Sequence, residues 1–445
     1  MAGAASQVLG GPAGVHLASG RSQRWTAARA LVAMSAVPLL LAVLLRQHCR
    51  STLWASPEQF THACYSDLPP LFTSAGFDRG VFPYLQALDG VYLAQPVGTG
   101  GLLGLLAWLA PGGPEAPRWV FDLSVLLVAG AFVACVLAVA ALSGRRPWDA
   151  ALVALSPVVA VSALISLDLV AVATAVLGVL AFSRSRPVAA GVLLGVAAAI
   201  RPTGVLVLLA LLLVAARTGR WEGPRRTAVT AVVTWLALNV PVLAASPAGW
   251  AAYFDAVLSA RPGYGSLWLL PQLAGAPLPA GAARWLSAGL VVAVVVAAGA
   301  LVLGARTRPR LPAVVLFLLV GVLLVSLSVP PQASLWLVPF AALAAPRWRD
   351  HLVWSAVEVT YATGTWLYLY GQSVPDRGLP AWAYGGLLVL RLGALAWVAW
   401  RALILVHQPG LDPVRSPLDA PGLGRDDPTA GPLEGAPDAL VVRVV

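Results

Sequence analysis

Twelve apolar runs follow one another along this chain, most of them separated by short loops that carry arginine. They fall at about 28–46, 119–142, 150–165, 167–183, 188–200, 203–216, 226–245, 283–304, 312–328, 331–345, 351–371 and 381–404. A helix crossing a bilayer needs about 20 apolar residues. In hydrocarbon, each segment must satisfy its own backbone hydrogen bonds. The pattern therefore predicts an all-α integral membrane protein, a bundle of about twelve spans over residues 28–406. A short N-terminal tail (1–27) precedes the bundle. A segment rich in Pro, Gly and Asp (407–445) follows it and reads as disordered. Composition agrees: 59% of the 445 residues are hydrophobic and only 11% are charged, against about 25% charged in soluble domains.

The net charge of +10 does not point to nucleic acid, because the basic residues sit in loops between apolar runs. All 29 are arginine; with the abundant Gly, Pro and Ala, that composition suggests a GC-rich bacterial genome. Arg21, Arg24 and Arg29 precede the apolar stretch from Ala30 to Leu45, and no small-residue cleavage site follows it, so it reads as a retained signal anchor. Thirteen arginines (from Arg145 and Arg146 to Arg347 and Arg349) fall in alternate loops; the opposite connections after the second span hold only Arg201, Arg261 and Arg377. The positive-inside rule then places both termini in the cytoplasm of a multi-pass protein of the bacterial plasma membrane. It also leaves a long first outer loop, about 47–118, and a second at 246–282.

The first loop contains a run at 98–110, too short to span comfortably, which reads as an interfacial or re-entrant helix. It also contains Cys49 and Cys64, which form either a disulfide or two free thiols, while Cys135 lies within a span. Asp67 stands in the same loop beside Tyr65, in CYSDLPPLF. A loop aspartate is usually only solvated. The functional alternative is a general base that takes a proton from an attacking hydroxyl, and nothing local favours Asp78 or Asp89 for that role.

Two apolar stretches are broken at outer turns. One breaks at Ser166-Leu167-Asp168 and the other at Arg201-Pro202, where proline cannot continue a helix without losing a hydrogen bond. Paired short helices of this kind often frame binding sites. Asp168 and Arg201 form either a structural ion pair or a cavity lining in which Arg201 holds an anion through its planar fork of donors. Gln332 interrupts a third outer turn, VPPQASLW. The second loop is aromatic (Trp250, Tyr253, Phe254, Tyr264, Trp268), suited to interface anchoring or to stacking on a sugar. No zinc-type spacing, P-loop or GxGxxG occurs, and no metal or cofactor is expected.

Several segments, taken in order, resemble one family: CYSDLPPLF with GFDRGVFPYL, ALSPVVAVSALISLDLVAVA, GVLLGVAAAIRPTGVLVL, NVPVLAASPAGW with GSLW, VPPQASLWLVPFAALA, and HQPGLDPVR. Together they resemble the polytopic membrane glycosyltransferases of the GT-C superfold, in particular family 87 and its actinobacterial members, over most of residues 45–415. The resemblance implies a polyprenyl phosphate-linked donor carrying mannose or arabinose, and a glycan or glycolipid acceptor at the outer membrane face. It also implies a catalytic aspartate in the first outer loop, matched by Asp67, and Asp168 and Arg201 match family positions at their turns; Tyr65 and Gln332 stand beside them as substrate-binding candidates. Two departures stand out. Relatives commonly read EYPxLTG where this chain has AQPVGTG, with Gln95 in the acidic region, and they tend to carry Lys ahead of the third outer turn, where Ser328 stands here. A degenerate relative that only binds lipid-linked sugar or scaffolds other enzymes, and a lipid flippase or transporter, are the alternatives.

Overall fold

The computed structural model describes residues 26–416, 422 and 424–442. The N-terminal tail expected at 1–27 lies almost wholly outside the described residues. Among the described residues the regular structure is helical throughout; an isolated bridge between Leu88 and Val91 is the one β contact. Five helices are long and apolar enough to cross a membrane: Ala27–Leu45, Ala116–Leu142, Glu222–Ala245, Ala280–Gly304 and Ala381–His407. Each of the remaining expected spans is also helical. They include the 26-residue helix Trp348–Ser373 and shorter pieces such as Asp168–Ser183, Pro187–Ile200, Thr203–Thr218 and Leu311–Val325.

Proline sets the short lengths. Pro157 follows an extended Ser156 and splits the expected 150–165 span into Ala151–Ala154 and Pro157–Ser162. Arg201 precedes Pro202 and is extended (φ −152°, ψ 157°), so the chain turns between Pro187–Ile200 and Thr203–Thr218. Steric clash with the proline ring drives the preceding residue out of the helical region. The short helices are also the most buried: 11 of the 16 residues of Asp168–Ser183 are buried, whereas the long helices expose apolar side chains outward.

Helix Pro187–Ile200 packs closely on Glu222–Ala245 through Gly191 and Gly195. A Cβ at either position would lie 2.5 Å from a carbonyl of the partner helix, Thr227 O or Ala231 O. Small residues four apart allow this approach where apolar burial alone gives no preference for helix over lipid.

The first long loop is compact. It folds into short helices Gln47–Thr52, Glu58–Thr61 and Leu68–Ser74, then Val97–Leu109 at the place expected for a non-spanning helix. Cys49 and Cys64 are joined by a disulfide. Arg50 pairs with Asp122 at 2.6 Å, tying the loop to helix Ala116–Leu142.

The C-terminal segment departs from expectation. Its composition reads as disordered, yet the described part of 407–442 is bound to the arginine-rich end of the bundle. Asp412 accepts from Arg310 at 2.7 Å, Asp438 from Arg217 at 2.6 Å, and Asp426 pairs with Arg308. Asp427 accepts from the backbone N–H of Leu311 at 2.6 Å, and Val442 N–H donates to Leu303 at 3.0 Å. The physical reason is charge: the acids that lower the segment's hydrophobicity are counter-ions for buried loop arginines, and Arg217 is fully buried. The folded unit therefore extends past residue 406. Truncation after Gln408 should strand Arg217 and Arg310 as buried unpaired charges. Removing one partner of a buried pair costs roughly 3–5 kcal/mol, so the thermal midpoint in detergent should fall by many degrees. An unchanged midpoint would mean that the segment contributes nothing to the fold.

Candidate active site

Asp67 occupies the N-cap position of Leu68–Ser74, but its carboxylate does not cap that helix. Its backbone N–H instead donates to Ile165 at 2.8 Å, and the preceding Ser66 hydroxyl donates to Leu164 at 2.7 Å. These bonds fix the first loop to the broken turn just before Asp168. The carboxylate is left to accept from the Gln332 amide at 3.2 Å and from the Tyr65 hydroxyl. Gln332 is buried, and its Oε1 has no hydrogen-bond partner among the described residues.

Desolvation raises the Asp67 carboxyl from its ordinary value near 3.8 to about 6. The Tyr65 hydrogen bond opposes that rise, Asp168 adds to it and Arg201 opposes it. Burial, reinforced by the neighbouring Asp67, pushes the Tyr65 hydroxyl well above its ordinary range. Tyr65 is therefore a neutral donor at physiological pH, and its ring lies 4.9 Å from that of Trp366.

Asp168 opens helix Asp168–Ser183. It accepts from Trp336 Nε1 at 2.7 Å, from the Ser166 hydroxyl, and from Arg201 Nε at 3.0 Å. Arg201 Nη1 donates to Gln95 Oε1 at 3.1 Å, to Thr99 Oγ1 at 3.2 Å and to its neighbour's carbonyl, while Nη2 makes no bond within the described residues. Of the two arrangements left open from sequence, the structure forms the ion pair. Arg201 thus has a fixed counter-ion, and the pair is neutral as a unit. Gln95, standing in the region where relatives carry an acid, accepts from the guanidinium without adding a negative charge.

Two cavities adjoin this cluster. One, about 220 Å³, is lined by Gln95, Asn239, Trp250, Tyr253 and Phe254, so three aromatics of the second long loop converge on it. The other, about 650 Å³, is lined by Tyr253, Arg284, Ser326, Ser328 and Trp336 together with apolar side chains such as Leu258 and Val291. Tyr253 and Pro202 belong to both walls. Trp336 joins the larger cavity to the ion pair through its bond to Asp168.

The structure therefore brings Asp67, Tyr65, Asp168, Arg201 and Gln332 together. Cys49 and Cys64 brace the loop rather than line the site. Asp78 lies in the 3₁₀ turn Phe77–Arg79 and Asp89 at a turn with positive φ, and neither has a hydrogen bond to the cluster. Trp336 and Arg284 are not singled out by sequence. Trp336 reads as one more apolar residue of its run, and Arg284 sits at the edge of a span, where arginine passes for an interface anchor. Among the described residues no group of three or more His, Cys, Asp or Glu gathers as a metal site.

Residues 96–331, more than half of the chain, match Glycosyltransferase family 87. The chain belongs to that family. The matched region carries Asp168, Arg201, most of both cavity walls and the start of the Gln332 turn, while Asp67 precedes it. One solved structure similar to this family 87 member is that of ArnT from Cupriavidus metallidurans bound to undecaprenyl phosphate. The match has 15% identity and a TM-score of 0.45, covering 84% of this chain and 77% of that one. No curated protein matches the sequence. Family membership and the apolar helices together make the chain a membrane protein of a glycosyltransferase family.

Proposed function

We propose that this protein transfers a sugar of the mannose or arabinose class from a polyprenyl phosphate-linked donor to a glycan or glycolipid acceptor at the outer face of a bacterial plasma membrane. In this reading Asp67 is the general base. It takes the proton of an acceptor hydroxyl as that oxygen attacks the anomeric carbon from the face opposite the leaving group. The bond between the anomeric carbon and the phosphate oxygen breaks, and polyprenyl phosphate departs with the electron pair. Asp67 ends protonated, and the configuration inverts. A carboxyl held near 6 is ionised at neutral pH yet more basic than an ordinary aspartate, which suits proton abstraction. Gln332 steadies the Asp67 carboxylate through its amide, and Trp250, Tyr253 and Phe254 offer faces to the sugar. Arg201 keeps Nη2 for a substrate oxygen.

The observation that carries this reading is the position of Asp67. Its carboxylate is hydrogen-bonded by neutral donors, not capped into a helix, and near enough to the Asp168–Arg201 pair to feel both charges, and that pair reaches the two cavities through Trp336 and Gln95. A lipid-borne donor is favoured because the larger cavity has walls on the apolar helix Ala280–Gly304, including its Trp285, which is 81% exposed.

Reconstituted protein supplied with radiolabelled polyprenyl phosphate-mannose or polyprenyl phosphate-arabinose, and with a crude envelope glycolipid fraction as acceptor, should release polyprenyl phosphate and label the acceptor. Label transfer from nucleotide sugars but not from the lipid donors would sink the donor assignment. Binding of the lipid donors with no turnover would replace the enzyme with a non-catalytic relative.

A further inference from the structure

Resting on the lipid-donor reading, we infer that Arg284 anchors the phosphate of the lipid in the 650 Å³ cavity. Net positive charge strengthens the hold on an anion. The Asp67–Asp168–Arg201 cluster does not supply it: Arg201 is neutralised by Asp168 at 3.0 Å, and an ionised Asp67 makes the group net negative. Arg284 is different. Its one hydrogen bond within the described residues runs from Nη1 to the carbonyl of Leu258 at 2.9 Å, and it makes no ion pair there. Its remaining donors are uncommitted, and a guanidinium fork matches phosphate oxygens.

Three further features favour an anion at this place. Arg284 lies in the first turns of the 25-residue helix Ala280–Gly304, whose N-terminal partial charge is positive. Ser328, on the same cavity wall, is exposed and has no hydrogen-bond partner within the described residues, so its hydroxyl can donate. Much of the remaining wall is apolar, including Val257, Leu258, Ala288 and Val291, and the Ser287 and Ser326 hydroxyls are already committed to backbone carbonyls, which suits a ligand with one charged head on a hydrocarbon chain. A free phosphate ion would meet only the head of such a site.

The experiment is equilibrium binding of a polyprenyl phosphate to the full-length protein in nanodiscs of zwitterionic lipid, compared for the parent chain, Arg284→Gln and Arg284→Lys. The uncharged prenol of equal length, inorganic phosphate and phosphatidylglycerol serve as competitors. The parent chain should bind the polyprenyl phosphate, and Arg284→Gln should weaken binding about tenfold or more, the effect of losing one charge-assisted contact. Arg284→Lys should fall between, and prenol should compete only weakly and equally against every variant. Arg284 is partly exposed, so these variants should keep the parent thermal midpoint. Equal affinity in the parent and Arg284→Gln would overturn Arg284 as the anchor while leaving the lipid-donor reading standing. No binding by the parent chain would overturn that reading and the anchor with it. Displacement by phosphatidylglycerol at equal mole fraction would overturn the assignment to the donor and make the site one for general anionic headgroups; displacement by inorganic phosphate would overturn the need for a lipid chain.

Discussion

Asp67→Asn is expected to insert and fold as the parent chain does and to lose about 10²–10⁴-fold in transfer rate, the usual contribution of a positioned general base. The substitution is nearly isosteric. Both bonds that locate the loop, Asp67 N–H to Ile165 and Ser66 hydroxyl to Leu164, lie outside the altered carboxyl group. Folding and catalysis therefore separate. The pH dependence follows from the raised carboxyl. A base must be ionised, so kcat/KM should be low under acid conditions, rise as pH passes through about 6, and level off above it. An ordinary aspartate, titrating near 3.9, would reach its plateau about two pH units lower. In Asp67→Asn that acid limb should vanish together with the rate. Near-parental turnover in this variant, or an acid limb that survives in it, would assign the base to another group.

Much of this site is legible in the sequence, for identifiable reasons. Arginine-bearing loops fix which turns share a face, and that alone gathers Asp67, Asp168, Arg201 and Gln332 at one end of the bundle. Pro202 marks its helix break directly, because the missing donor and the restriction on Arg201 are local properties of the chain. Partnership is less legible. Whether Arg201 holds Asp168 or an external anion depends on a distance across two turns, and apolar periodicity carries no information about that. The C-terminal segment reads wrongly as disordered because composition measures what a segment buries by itself. Its aspartates are held by arginines that lie more than a hundred positions away in sequence. Glu358 and Arg391 carry a different kind of signal. Each sits among apolar residues near the middle of a predicted span, and an ionisable residue there is expensive, roughly 2.5–3.5 kcal/mol at the bilayer centre, unless it has a partner.

That partnership leads to the second large effect. Glu358 and Arg391 are 2% and 0% exposed, and Arg391 Nε donates to Glu358 at 3.0 Å. Arg391 also donates to the Val329 carbonyl at 2.5 Å, the Pro330 carbonyl at 3.3 Å and the Ser334 hydroxyl at 3.0 Å. Glu358 accepts from Ser334 and from Trp354. The pair therefore clasps both sides of the turn that presents Gln332 to Asp67, without touching the reacting groups. Arg391→Ala should cost roughly 3–5 kcal/mol, because it leaves the Glu358 carboxylate buried without its counter-ion. Replacing both residues with Met should recover most of that stability, since a well-packed apolar pair often matches a buried ion pair. Activity should not recover with it. With the carbonyls of Val329 and Pro330 unclasped, Gln332 drifts from Asp67. A displacement of about 1 Å in a site of this kind is enough for a loss on the order of 10²-fold. The acid limb of the pH profile should also move to higher pH, because an amide donor that favoured the ionised carboxylate has gone. A double variant with parental stability, rate and pH profile would reduce the pair to a structural element. Recovered stability with a reduced rate and a shifted acid limb would make Arg391 a positioning residue for the base.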